Sequence, residues 1–99
     1  MGNDIGSQLY FKLCSDRVSI EAIPTRRLKV DFRKMKDRTI KDHELVMWTP
    51  HFAVVRNTEG QEITVRQDGR MIVRKATSET TARKSAEVMM ELVVKEFAL

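Results

Sequence analysis

Between Phe52 and Lys75 three apolar runs are separated by turn-forming residues, and this stretch limits the fold more than any other feature of the chain. Phe52 to Arg56 is apolar on both faces over Phe52, Ala53, Val54 and Val55, as expected of a central strand or one lying under a helix. Asn57, Thr58, Glu59 and Gly60 then supply turn chemistry. Glu62 to Arg66 sets Ile63 and Val65 against Glu62, Thr64 and Arg66, the period-two pattern of a half-buried strand. Asp68-Gly69 is a tight-turn signal, and Arg70 to Lys75 returns with Met71 and Val73 inward. The stretch therefore predicts three antiparallel strands in a meander. Strands that alternate have one face to bury, so other parts of the chain must cover it.

The cover follows at once. Ser78 is a good N-cap, with Glu79 placed where a carboxylate meets the positive end of the helix dipole. Ala82, Ala86, Met89, Val93 and Phe97 then draw one apolar stripe at helical spacing. Arg83, Lys84, Glu87, Glu91 and Lys95 occupy much of the opposite side. A helix of roughly 20 residues is about 30 Å long, enough to cross five strands about 4.8 Å apart.

The first half of the chain supplies the remaining strands. Gln8 to Cys14 alternates with Leu9, Phe11 and Leu13 on one side, and Ser15 and Asp16 can turn the chain. Val18, Ile20 and Ala22 then repeat the pattern as a second strand or a continuation of the first, and Pro24 ends it. From Thr25 to Ile40 two periods compete: Leu28, Val30 and Phe32 fit a strand, whereas Leu28, Phe32 and Met35 fit a helix face. Five Arg, Lys or Met residues between Asp31 and Arg38 favour a short helix there, with Asp31 as its cap. Glu44 to Trp48 reads as a strand with Leu45 and Met47 inward and Glu44, Val46 and Trp48 outward, ending at Thr49 and Pro50. The expected fold is α+β: a two-layer sandwich with an antiparallel sheet of five to six strands, and a short helix and a long C-terminal helix on one face. The 99 residues suit a single domain, with residues 1–7 expected to be disordered.

Composition narrows the function. No run approaches the roughly 18 apolar residues of a membrane helix, and the start lacks a signal peptide's basic and apolar regions, so a soluble cytoplasmic protein is expected. Gly2 does not begin a myristoylation signal, because Gly6 stands where Ser or Thr is needed. A single cysteine, Cys14, excludes an internal disulfide. The formal charge of +4 is concentrated: Arg26, Arg27, Lys29, Arg33, Lys34, Lys36, Arg38 and Lys41 oppose only Asp31, Asp37 and Asp42. Such a cluster marks a surface for phosphates, anionic lipid or an acidic protein, and is also common as a solvated flank.

No catalytic constellation stands out. His43 and His51 are eight apart across a predicted strand and do not form a helical metal-ligand pair, and Cys14 has no neighbouring cysteine. Gly60 and Gly69 sit in hairpin turns, without a phosphate-loop sequence around them. The serines lack a nucleophile-elbow motif. Neither metal nor cofactor is expected, and Cys14 reads as packing unless a basic neighbour makes it a reactive thiol. The six methionines read mainly as core filler. Alternation leaves Tyr10, Lys12, Ser19, Glu21, Trp48, Thr64, Arg66, Ile72 and Arg74 on the face away from the helices. Basic side chains interleaved with Tyr and Trp can stack bases and neutralise phosphates, or can form a protein contact.

The run from Thr49 to Met90 resembles the small C-terminal domain of ThiF and MoeB type adenylyltransferases, which activate ubiquitin-like sulfur carriers. The matching pieces are Phe52 to Val55, Gly60, Glu62 to Thr64, Asp68 to Arg70, Ile72 to Arg74, and Ala82 with Arg83. The chain also looks like uncharacterised stand-alone archaeal proteins of similar size. The order long strand, short helix, four strands, long helix is similar to one half of the TATA-binding protein, with Asp68 to Ala86 falling where that repeat has a hairpin, a strand and a capped helix. The adenylyltransferase's nucleotide loop and catalytic cysteine are absent, so the resemblance implies no activating activity. The TATA-binding protein needs two repeats and wedging phenylalanines, and this chain has the length of one repeat.

These observations lead to a non-enzymatic binding module whose partner is a protein, in sulfur-carrier metabolism by analogy, or a second copy of the chain; nucleic acid is the alternative. The candidate contact residues are Tyr10, Lys12, Arg26, Arg27, Lys29, Arg33, Lys34, Lys36, Trp48, Arg66 and Arg74.

Overall fold

The computed structural model describes residues 9–13, 19–36 and 40–99. Its elements are β1 (Leu9–Leu13), β2 (Ile20–Pro24), α1 (Phe32–Lys36), β3 (His43–Trp48), β4 (Phe52–Asn57), β5 (Glu62–Arg66), β6 (Met71–Arg74) and α2 (Glu79–Leu92), which continues as a π-helical turn over Val93–Phe97. The six strands form one antiparallel sheet in the order β1-β2-β6-β5-β4-β3. The fold is the expected α+β arrangement. The expected disorder of residues 1–7, the strand ends at Gln8 and Cys14, the turn at Ser15 and Asp16, Val18, and the helix end at Asp37 and Arg38 lie outside the described residues.

Register follows the apolar alternation. Ala22 pairs with Met71, Ile20 with Val73, Val73 with Ile63, Met71 with Val65, Ile63 with Val55 and Val65 with Ala53. Opposed residues share a face, and these are buried. The α2 stripe of Ala82, Ala86, Met89, Val93 and Phe97 is also buried, and with Phe32 and Met35 of α1 it completes a single core on one side of the sheet. Ser78 caps α2 as expected. Its hydroxyl accepts from Thr81 N–H at 3.2 Å while Ser78 N–H donates to Thr81 Oγ1 at 3.2 Å, so two helix-end donors are satisfied.

The ambiguous stretch before α1 uses both of its periods in succession. Val30 forms an isolated antiparallel bridge with Ala98, and the chain is helical from Phe32, with Asp31 Oδ1 accepting from Arg33 N–H at 3.1 Å. Hydrogen bonds tie this segment down on both sides: Val30 N–H donates to Gln67 O, Asp31 N–H to Phe97 O, and Leu99 N–H to Lys29 O. The Phe97 carbonyl, one of those that the helix end leaves without an intrahelical donor, is thereby satisfied.

One strand departs from simple alternation. Leu45 pairs with Val55, but Met47 pairs with Val54, so a bulge at Val46 shifts the register and Trp48 faces Ala53. The bulge reverses the expected sides of the last two residues. Met47 is 52% exposed, contrary to a core-filling role, and Trp48 turns to the covered face. There its indole N–H donates to Phe32 O at 2.7 Å, and the Lys36 ammonium lies 5.1 Å from the ring centroid. Ser19, expected on the outer face, is buried just before β2.

Candidate functional site

The face of the sheet away from α1 and α2 has no element of the described chain packed over it. Strand pairing arranges its side chains in rows across the sheet. The middle row is Lys12, Glu21, Ile72, Thr64, Val54 and Met47. Ile72, Thr64 and Val54 are half-buried and lie in direct succession, so the centre of the face is mainly aliphatic.

At one end of the strands lies a row of alternating sign: Glu44, Arg56, Glu62 and Arg74. Arg56 reaches Glu44 and Glu62, each at 3.2 Å, and Lys75 adds a third pair to Glu62 at 3.2 Å. Hydrogen bonds from Lys75 and then Arg56 hold the Glu62 carboxyl below the usual carboxylate range, against the smaller effect of desolvation.

At the other end, Tyr10 pairs with Ile23 and Phe52 with Arg66. The chain from Thr25 to Lys29 passes beside this end and bears on the β5–β6 turn. Gly69 (φ +90°) takes a backbone conformation costly for other residues, and a Cβ there would come within 3.1 Å of Leu28. Leu28 consequently stands between two open grooves. One, of about 770 Å³, is bordered by Phe52, Arg66, Lys29 and His51; the other, of about 470 Å³, by Tyr10, Ile23, Arg26, Arg27 and Arg70.

The electrostatics of this face are lopsided. Its described carboxylates, Glu21, Glu44, Glu62 and Asp68, are all paired, the first and last with Arg70 at 3.8 and 3.5 Å. Lys12, Arg26, Arg27, Lys29, Arg66 and Arg74 are exposed and form no side-chain ion pair with a described residue. These six cations, with Tyr10 at 54% exposure, are the expected contact residues that the fold brings to one surface.

The other four lie elsewhere. The basic segment divides at Val30, where the chain passes from the outer face toward α1. Arg33 is bound to Asp31, whose carboxyl this hydrogen bond holds below its usual range. Lys34 Nζ donates to Ala98 O, and Lys36 lies over Trp48. Arg33, Lys34, Lys36 and Trp48 thus make intramolecular contacts on the α1 side. Conversely, Leu28, Phe52, Val54, Met47 and Arg70 belong to the outer surface without having been singled out, and Ile23, itself buried, borders one of its grooves. For Phe52 and Val54 the signal was present, since a strand apolar on both faces must show apolar side chains on the uncovered side.

A smaller cleft of about 220 Å³ lies on the covered side, between α2 and the β4–β5 turn, bordered by His43, Asn57, Lys84 and Ser85. Beside it Asn57 Nδ2 donates to Gln61 Oε1 at 2.9 Å and to Ser85 Oγ at 3.2 Å, and the Ser85 hydroxyl donates to Gln61 Oε1. This network fastens the turn to α2 and satisfies the buried Gln61 and Ser85 side chains. His43 Nδ1 lies 2.5 Å from Lys41 O, a carbonyl that can only accept, so that nitrogen is the donor. His43 and His51 border different clefts on opposite sides of the sheet. Among the described residues no group of three His, Cys, Asp or Glu side chains is placed to hold a metal ion. No described helix is long and apolar enough to cross a membrane. In comparisons with known proteins, no family model, curated sequence or solved structure matches this chain.

Proposed function

We propose that this chain is a non-enzymatic binding module that holds a protein partner on the uncovered face of its sheet. The observation that carries the proposal is the combination on that face of an aliphatic centre with six cations that form no ion pair with a described residue, while every described carboxylate there is neutralised. A protein contact needs desolvated apolar area at its centre and charge at its rim, and this face offers both. The element order from β2 to α2 agrees with the resemblance to one repeat of the TATA-binding protein, and that relationship is part of the proposal. The link to sulfur-carrier metabolism rests on the adenylyltransferase resemblance alone.

Nucleic acid is the second reading, favoured by the same unpaired cations. It predicts affinity that falls steeply with salt, because each neutralised phosphate releases counterions. A second copy of the chain on this face is the third, and light scattering across a concentration series tests it: a strict monomer excludes it. Amide-shift mapping at low salt with polyglutamate and with mixed-sequence DNA and RNA tests the surface itself. Perturbations centred on Thr64, Arg66 and Ile72 are expected. Perturbations confined to the outer side of α2, or none with any probe, would overturn the assignment of function to this face.

A further inference from the structure

The two edges of the sheet are finished differently. On one side β3 carries a bulge at Val46 that interrupts its ladder, a device that keeps edge strands from pairing with another chain. On the other side β1 has none. All five of its residues pair with β2 in unbroken register, and no described strand lies along their outer side. A regular edge strand offers its backbone N–H and C=O groups to a further strand. β1 also exposes apolar surface on both faces of the sheet, with Tyr10 at 54% on the outer face and Leu13, opposite the buried Ile20, at 50% on the covered one.

We infer that β1 pairs antiparallel with β1 of a second copy of this chain. The inference goes beyond the open-face reading and does not depend on which partner that face takes. A two-fold axis that joins two such edges antiparallel stands perpendicular to the sheet, so each residue meets one from the same face. Only the register centred on Phe11 then pairs all five residues: Leu9 with Leu13, Tyr10 with Lys12, and Phe11 with its own counterpart. The registers centred on Tyr10 and on Lys12 pair only three of the five, and the second sets two lysines directly opposite each other. In the favoured register the Lys12 ammonium, which forms no ion pair with a described residue, stands beside a tyrosine ring, and the exposed Leu13 gains an apolar neighbour. The Arg83 guanidinium lies 5.0 Å from the Phe11 ring centroid, but it is paired with Glu79 at 2.8 Å and so brings no bare charge to the axis. The edges left over are both bulged β3 strands, so assembly closes at two copies.

Light scattering on the full chain up to about 1 mM should show a mass rising with concentration toward twice 11.5 kDa, and the β1 amides should exchange more slowly as it rises. Tyr10→Lys places a lysine opposite Lys12 at both ends of the pairing. It should raise the dimer dissociation constant about ten-fold or more, while the dilute chain melts near the unmodified one because the side chain is exposed. Adding Lys12→Glu turns both repulsions into opposite-charge pairs and should restore the dimer, which a general effect of charge would not do. Thr64→Lys, at the centre of the outer face, should leave the dimer unchanged. A chain that stays monomeric throughout would overturn the inference and leave the edge to a strand of another protein or to none. Weakening by Tyr10→Lys that Lys12→Glu fails to reverse would overturn it as well. A dimer dissociated by Thr64→Lys but not by Tyr10→Lys would move the contact from the edge to the sheet face. The open-face reading stands or falls separately, on its own shift mapping.

Discussion

Ile63 and Thr64 are neighbours in β5, yet they belong to two different kinds of surface. Ile63 is fully buried between its strand partners Val55 and Val73 and the helical layer. Thr64 sits between Val54 and Ile72 on a face that no described element covers. The covered face consists almost wholly of apolar side chains in mutual contact, and no buried side-chain nitrogen or oxygen among the described residues lacks a hydrogen-bond partner. The uncovered face keeps half-buried aliphatics beside cations that form no ion pair with a described residue. Burial in the core accounts for the first surface but not for the second, which is why the second is the surface proposed to bind a partner.

The largest expected effect tests that division directly. Phe97→Ala, at the buried end of the helical stripe, should lower unfolding free energy by about 3 to 5 kcal/mol, from lost transfer energy and the cavity left behind. Thr64→Ala should stay within about 0.5 kcal/mol, since it opens no cavity in the core. Urea denaturation of both variants measures the difference. Similar losses at both sites would mean that Thr64 also supports the fold, and the distinction between the two faces would fail.

Much of this architecture is legible in the sequence because period-two and helical patterns report burial directly. The strands from Phe52 to Arg74, the Ser78 cap and the α2 stripe follow from side-chain alternation, turn residues and capping chemistry with little tertiary input. Trp48 does not. Leu45, Val46 and Met47 are all apolar, so nothing local says which residue the ladder will skip. The choice is made by packing, which turns the indole toward the Phe32 carbonyl and leaves Val46 and Met47 exposed at a sheet edge. The basic segment misleads for a related reason. Charge is counted along the chain, but Val30 is clasped between Gln67 and Ala98, so residues on its two sides reach different surfaces. Of the candidate site, the sequence shows the one-sided cations of β5 and β6, whereas the grooves around Leu28 depend on how Thr25 to Lys29 rests on Gly69.

The reassigned tryptophan supplies the next test. Trp48→Phe keeps an aromatic ring but removes the donor to the Phe32 carbonyl, so a loss of about 1 to 2 kcal/mol is expected on thermal or urea unfolding. Binding of polyglutamate to the outer face should not change. Unaltered stability with weakened binding would put the indole on the wrong side of the sheet. Ser78→Ala should cost about 1 kcal/mol by removing the hydroxyl that accepts from Thr81, again without affecting the outer face.

The smallest effect concerns the uncovered face itself, where one carboxylate does contribute to the fold. Glu62 joins Arg56 on β4 to Lys75 after β6, and both partners favour its ionised form. Its folded-state pKa is lowered, so its contribution is complete above the ordinary carboxylate range, near pH 4, and is lost as pH falls through the lower folded value. Glu62→Gln resembles the protonated acid at every pH. The melting temperature of the unmodified chain should therefore exceed that of the variant at neutral pH, and the two should converge as the solution is acidified below the ordinary range. Added salt at neutral pH should narrow the same gap, because the pairs are partly solvent-exposed. A gap that persists unchanged in acid would mean that Glu62 acts through packing, and that the charged end of the outer face is no more than a solvated border.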